Sequence, residues 1–406
     1  MTLNIKSLAL RARRLSATRA TAAHAQTQAN GHPVQQLITE RILSGSKPGA
    51  RSSSDTSRLA LVVEGGGMRG CISCAMVMTL HELGLLPAFD VAYGSSAGAI
   101  NAAYCLTGQR GAIRIYYDHL TQGAAFLDLR ALLPGASRPV MDIDYLVDDV
   151  MARREPLDWG GVLASPIPLR VVASCLDSLE PVVLSGFHDA RELAAALKAS
   201  ASVPEVALGP RPFRERPRLT DAGVFEKVPL PSAIRDGCTH ALVACSRPQP
   251  TQRRFLERRL SGVVEALAAR LPVRTPNLRA ALRRARAVGL RDEGLEEALH
   301  SCPHEVRDAL GAYVLPMYPA STAGAHSLCL DPAVLRAACE AGRAAALRLL
   351  EPVAEAVAAG GRGPDGVEAL GLGGVFGEGE GERGSEIGEG EAEGALVREG
   401  AAPVAA

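Results

Sequence analysis

The chain has 406 residues, 47% of them hydrophobic, enough to bury a large core. Its 44 basic and 44 acidic residues cancel, which excludes a global field that would draw it to nucleic acid or to an acidic surface. Nine cysteines make an odd set, so a paired disulfide framework gives way to reduced thiols in an intracellular compartment. No apolar run reaches about 18 residues, so no transmembrane helix is expected and any membrane contact would be peripheral.

Residues 1–39 carry no acid, and Lys6, Arg11, Arg13, Arg14 and Arg19 stand among Ala, Ser and Thr. That pattern reads as an organelle transit peptide, plastid or mitochondrial, or as a basic tail without a fold. Residues 40–57 complete a short helix and a linker. The helix opens at Pro33, sets Val34, Leu37, Ile38 and Ile42 on one face, and stops at Gly45 and Pro48. Residues 58–358 form the expected folded domain. Residues 359–406, rich in Gly and Glu, cannot bury enough apolar surface to fold and are expected to be disordered.

Within the domain, Leu59–Glu64 is a short apolar strand. After Gly70, Ile72, Ala75, Met76, Leu80 and Leu83 recur at helical spacing, and Gly84 caps that helix. Asp90–Tyr93 is a second strand, and a helix follows to about Leu106. Strands are expected at 169–176, 182–184, 241–245 and 312–317. Helices are expected at 189–199, in Arg-rich segments over roughly 252–310, and at 332–358. Strands alternating with helices imply an α/β fold, a mostly parallel sheet covered on both faces.

Two glycine motifs carry the chemistry. Gly65-x-Gly67-x-x-Gly70 matches the dinucleotide fingerprint, which would make the chain a nucleotide-dependent oxidoreductase. That reading requires an acid at the end of the second strand, and the strand runs instead into Gly94. Gly94-x-Ser96-x-Gly98, at a strand-to-helix junction, is the pattern of a nucleophile elbow. The turn is too tight for side chains at its flanks, and it projects the Ser96 hydroxyl at a helix N-terminus that favours negative charge. Taken together, Gly65, Gly66 and Gly67 offer amides to the oxyanion of an acyl-transfer intermediate, at roughly 3 kcal/mol per donor.

With both motifs in place, the sequence resembles the patatin-like phospholipase family. Gly65-Gly66-Gly67-Met68-Arg69-Gly70 matches the family's G-G-G-x-[KR]-G, and Gly94 to Gly98 matches its G-x-S-x-G. Asp221-Ala222-Gly223 stands for D-G-[GA], with Pro229 downstream. The resemblance covers about residues 58 to 250. It implies a three-layer sandwich in which a mostly parallel sheet is flanked by helices. It also implies a lipid acyl hydrolase with a Ser-Asp dyad, no metal and no organic cofactor. Ser96 would be the nucleophile, Asp221 the base, and the amides of Gly66 and Gly67, with Gly65, the oxyanion hole. Arg69 would brace that loop or meet a lipid phosphate, with a salt bridge at the start of the helix as the plain alternative. Ala222, where the family has glycine, would be costly if that position needs positive φ. Lys227 stands where the family often has asparagine. These departures keep open a catalytically weak lipid-binding pseudo-enzyme of the same fold.

Asp90 and Asp177 are rival bases, and His240 follows Asp221 in the order a Ser-Asp-His triad requires, although strand entry suits it better. Ser95, Tyr116, Tyr117 and Trp159 read as packing residues. Cys71-x-x-Cys74 lies within a helix and lacks a second pair, so structural thiols are expected. From Arg247 to Arg291 twelve Arg face two acids, a local charge of 12 − 2 = +10. That stretch suits an anionic membrane surface or a solvated helix face, and nucleic acid is disfavoured because aromatic partners for bases are missing. The expected partner is a lipid ester.

Overall fold

A computed structural model describes residues 31–132, 138–207, 209–249, 275, 277–288 and 303–360. Both tails, 1–30 and 361–406, and most of the Arg-rich stretch lie outside the described residues, and with them the expectations of a transit peptide and a disordered tail.

In chain order the elements are α1 (Pro33–Leu43), β1 (Leu59–Val63), α2 (Gly70–Glu82), β2 (Val91–Ser95), α3 (Ala97–Leu106), α4 (Trp159–Ala164), β3 (Leu169–Cys175) and β4 (Glu180–Leu184). They continue with α5 (Ala190–Ala201), β5 (Arg211–Phe213), β6 (Arg216–Thr220), α6 (Leu230–Arg235), β7 (His240–Ala244), α7 (Leu278–Val288), α8 (Pro303–Leu310), β8 (Tyr313–Met317) and α9 (Pro332–Gly360). Between α3 and α4 the chain forms two π-helical segments, Ile115–His119 and Tyr145–Arg154.

The strands form one sheet in the order β5-β6-β3-β2-β1-β7-β8, with β4 paired to β3. The run β3-β2-β1-β7-β8 is parallel, and β4, β5 and β6 pair antiparallel at the β3 side. A strand's side chains alternate between faces, and β1 shows it. Leu59, Leu61 and Val63 join a core with Ile72 and Met76 of α2, Ile100 of α3 and Leu335 of α9. Ala60 and Val62 join a second core with Leu230 of α6 and Val306 and Leu310 of α8. Both faces are therefore covered, which is why β1 reads as an unbroken apolar run. The architecture is the three-layer α/β sandwich that the sequence implies.

Eight cysteines, Cys71, Cys74, Cys105, Cys175, Cys238, Cys245, Cys329 and Cys339, are free and buried. Cys71 and Cys74 sit in α2 within the core it shares with α9, as the structural reading expects. The two helices approach so closely that a Cβ on Gly342 of α9 would lie 2.4 Å from the Ile72 carbonyl oxygen.

Candidate active site

Parallel register decides what meets at one end of the sheet. Val63 pairs with Gly94 on one side and with Ala244 on the other. The residues that follow, Glu64 to Gly67, Ser95 to Ser96, and Cys245 to Ser246, therefore emerge together. Asp221 arrives from the antiparallel side, one residue past Thr220, which pairs with Ser174 on β3.

Ser96 caps the N-terminus of α3 with φ of 54° and ψ of −128°, a left-handed conformation that a residue with a Cβ adopts only under constraint. The constraint is visible. A Cβ on Gly94 would lie 2.3 Å from Ala99 Cα, and one on Gly98 would lie 2.3 Å from the Val63 carbonyl oxygen. Both elbow glycines are thus required by contact. The Ser96 N–H donates to Ser200 Oγ at 2.8 Å, and Ser200 Oγ donates to the Val172 carbonyl, which ties the elbow to α5 and β3. Ser95 is buried and donates its hydroxyl to the Glu226 carbonyl at 2.8 Å.

Asp221 is 8% exposed. Its Oδ1 accepts the Gly223 N–H at 2.7 Å, while Oδ2 is buried without a hydrogen-bond partner among the described residues. Burial raises the Asp221 pKa above its usual value; the Ser96 hydroxyl, the Gly223 N–H and the Lys227 charge act in the opposite sense. Ser96 thus stands beside the carboxylate, where its hydroxyl favours the charged form. Such contacts commonly tighten only when substrate binds. Ala222 carries no positive φ and its side chain is buried in the second core, so it imposes no backbone cost. The stem of Lys227 lies along the same turn, within 3.3 Å of where a Gly223 Cβ would be.

The glycine loop runs beside the elbow. A Cβ on Gly65 would lie 2.6 Å from the Ser95 carbonyl oxygen and 3.0 Å from Ser96 Cβ. The Gly65 N–H donates to the Lys227 carbonyl at 3.1 Å, so this amide holds the loop and is not an oxyanion donor as it stands. That corrects the sequence reading for Gly65. The Gly66 and Gly67 amides have no acceptor among the described residues. Gly67 has φ of 57° and packs on the Ser327 carbonyl, which also accepts the Met68 N–H at 3.1 Å. Arg69 Nε donates to Ser246 Oγ at 3.2 Å, a contact of the bracing kind.

Ser96 and Gly67 open onto a cleft lined by Met68, Ile100, Ile115, Phe126 and Met141, with the Asn101 and Tyr116 pair as its polar part. Tyr116 donates to Asn101 Oδ1 at 2.7 Å. Both π-helical segments contribute to this wall, through Ile115 and Tyr116 and through Leu146.

The rival groups lie elsewhere. His240 pairs with Leu59 at the start of β1, the opposite end of the sheet, roughly 15 Å of strand from the elbow. Burial lowers its pKa to about 4, with the Arg41 and Arg307 charges acting in the same sense. Asp90 accepts from the buried Arg41 at 2.7 Å and from Arg51 at 2.8 Å at that same far end. Asp177 pairs with Arg218. Among the described residues no group of His, Cys, Asp and Glu could hold a metal ion.

Residues 61–234 match the family of patatin-like phospholipases. Over those residues the chain carries a patatin-like phospholipase domain. Among curated proteins, no sequence matches the chain. The match leaves out β7, β8 and α9, yet β7 lies between β1 and β8 in the sheet, so the patatin-like domain folds with strands beyond the matched span. Sequence reasoning missed three residues that this domain uses at its sheet end: Ser200, Ser246 and Glu64. For Glu64 and Ser246 the available signal was position, since functional groups of parallel sheets gather past the strands' C-terminal ends; Ser200 lies within α5 and carried no such signal.

Proposed function

We propose that the patatin-like domain is a lipid acyl hydrolase that works through Ser96 and Asp221. The family supports ester hydrolysis of lipids as the class of reaction. The observation that carries the finer reading is the strained Ser96 at a helix N-terminus, beside a buried carboxylate and at the mouth of an apolar cleft. The acyl chain lies in the cleft and presents its carbonyl carbon to Ser96 Oγ. Asp221 takes the hydroxyl proton as the Oγ–carbon bond forms. The carbonyl oxygen becomes an oxyanion against the Gly66 and Gly67 amides, each contributing roughly 3 kcal/mol. Collapse expels the alcohol, which receives the proton. Water then repeats the sequence on the acyl-serine and releases the fatty acid.

The described part of the Arg-rich stretch, α7, supports peripheral contact with an anionic membrane. Leu278, Ala281 and Ala285 anchor it on Val224 and Phe225, next to the Asp221 turn, and Arg279, Arg283 and Arg284 are exposed. Among the described residues no helix is long and apolar enough to cross a membrane. An intracellular setting, plastid or mitochondrial, remains part of this reading on the N-terminal composition alone.

Intact-mass measurement after treatment with a fluorophosphonate tests the dyad. One adduct on the wild type, none on Ser96→Ala and slow labelling of Asp221→Asn is the expected result. A folded wild type that stays unlabelled and still binds liposomes would make the pseudo-enzyme the better reading.

A further inference from the structure

The glycine loop is tied to residues outside the matched span, and one of them sets the direction of an oxyanion donor. Ser246, two residues past the end of β7, is fully buried. Its hydroxyl accepts from Arg69 Nε at 3.2 Å and donates to the Gly65 carbonyl oxygen at 3.1 Å. Its own N–H donates to Glu64 Oε2 at 2.5 Å, and Arg247 Nε lies 3.8 Å from Glu64 Oε1. Ser246 is thus fixed through its backbone by a buried carboxylate and through its side chain by a guanidinium.

The Gly65 carbonyl belongs to the same peptide unit as the Gly66 N–H. A trans peptide is planar, with its C=O and N–H pointing in opposite directions, and the described chain has no cis peptides. Holding that carbonyl on the Ser246 side therefore fixes the Gly66 N–H on the other side. Glycine at 65 and 66 leaves the unit otherwise free to rotate. The Gly65 N–H is held by the Lys227 carbonyl at 3.1 Å, so the residue before this peptide is pinned as well.

We infer that Ser246 is a positioning residue for acyl transfer, with Arg69 acting through it to aim the Gly66 amide rather than binding a lipid phosphate. This inference rests on the hydrolase reading above. It makes the loss independent of any phosphate in the substrate, and it makes Arg69 and Ser246 one functional unit.

The test uses the full chain and p-nitrophenyl butyrate, a neutral ester, with fluorophosphonate labelling alongside. Ser246→Ala and Arg69→Gln should each lower kcat on the order of 10-fold to 100-fold, with KM within about two-fold. The double variant should lose no more than the larger single loss, because both act on one peptide. A folded Ser246→Ala with wild-type kcat overturns the inference, as do losses that multiply or that appear only with phospholipid substrates. Should Ser246→Ala fail to fold by circular dichroism, Arg69→Gln decides on its own: a kcat loss on the neutral ester supports the inference and an unchanged kcat overturns it. A folded wild type that neither labels nor turns over the ester removes the hydrolase reading itself; labelling of wild type and Ser246→Ala at equal rates removes only this one.

Discussion

As the proposed base, Asp221 joins two demands that conflict. A base must be charged to accept a proton, and burial disfavours that charge. Because its folded pKa is raised, the fold favours the protonated form. Its contribution to stability is present below the ordinary carboxylate pKa and is lost as pH rises through the folded value. Asp221→Asn keeps the oxygen that accepts the Gly223 N–H and removes the buried charge. It should therefore raise Tm at pH 8, with the gain shrinking near pH 4, while hydrolysis falls. Calorimetry across that range checks the sign, and a lower Tm at pH 8 would contradict it. For the same reason kcat/KM of the wild type should fall on the acid side at a midpoint above the ordinary carboxylate value. At this scale the elbow and its two glycines were legible from the sequence, since their need is steric and local. The Gly65 N–H bond to Lys227 and the contacts of Ser246 with Gly65 and Arg69 were not, because each depends on a partner brought from more than 160 positions away.

Among elements, the contact between α2 and α9 matters most for the site. Helix α2 begins at Gly70, directly after the glycine loop, and α9 lies against it through Gly342. Gly342→Val would push a branched side chain into the Ile72 carbonyl and force the helices apart. The expected cost is about 1–3 kcal/mol, read as a lower midpoint in urea, together with slower fluorophosphonate labelling as the loop follows its helix. Unchanged labelling in a folded variant would mean that α2 does not transmit the shift. Sequence patterning found α2 because its apolar residues recur at helical spacing, and α5 from the Asp189 cap. It missed β5, at the sheet edge, and β6 between β5 and β3, because their Arg and Pro residues read as loop. It missed the π-helical segments too, since five-residue bonding spoils the period on which pattern reading depends.

For the whole molecule, the sheet order carries the lesson. The matched span ends before β7, which pairs along its full length with β1. A chain ending at Asp236 would leave β1 with an open apolar edge and the first core without α9. It should lack a cooperative thermal transition, whereas a chain ending at Gly360 should show one by circular dichroism. Cooperative melting of the shorter chain would show that the matched span folds alone.

The buried thiols have a practical consequence. Cys74 and Cys105 are held well above the ordinary thiol pKa by burial, Cys105 at about 12, so neither presents a thiolate to an alkylating reagent while the fold is closed. Mass shifts from such a reagent would therefore time the opening of each region, α2 through Cys74, β7 through Cys245 and α9 through Cys339. Simultaneous modification of these sites would mark one cooperative unit, and early modification of Cys339 alone would mark α9 as the first part to leave. The protein thus carries its own clock for unfolding, distributed across the strands and helices that frame Ser96.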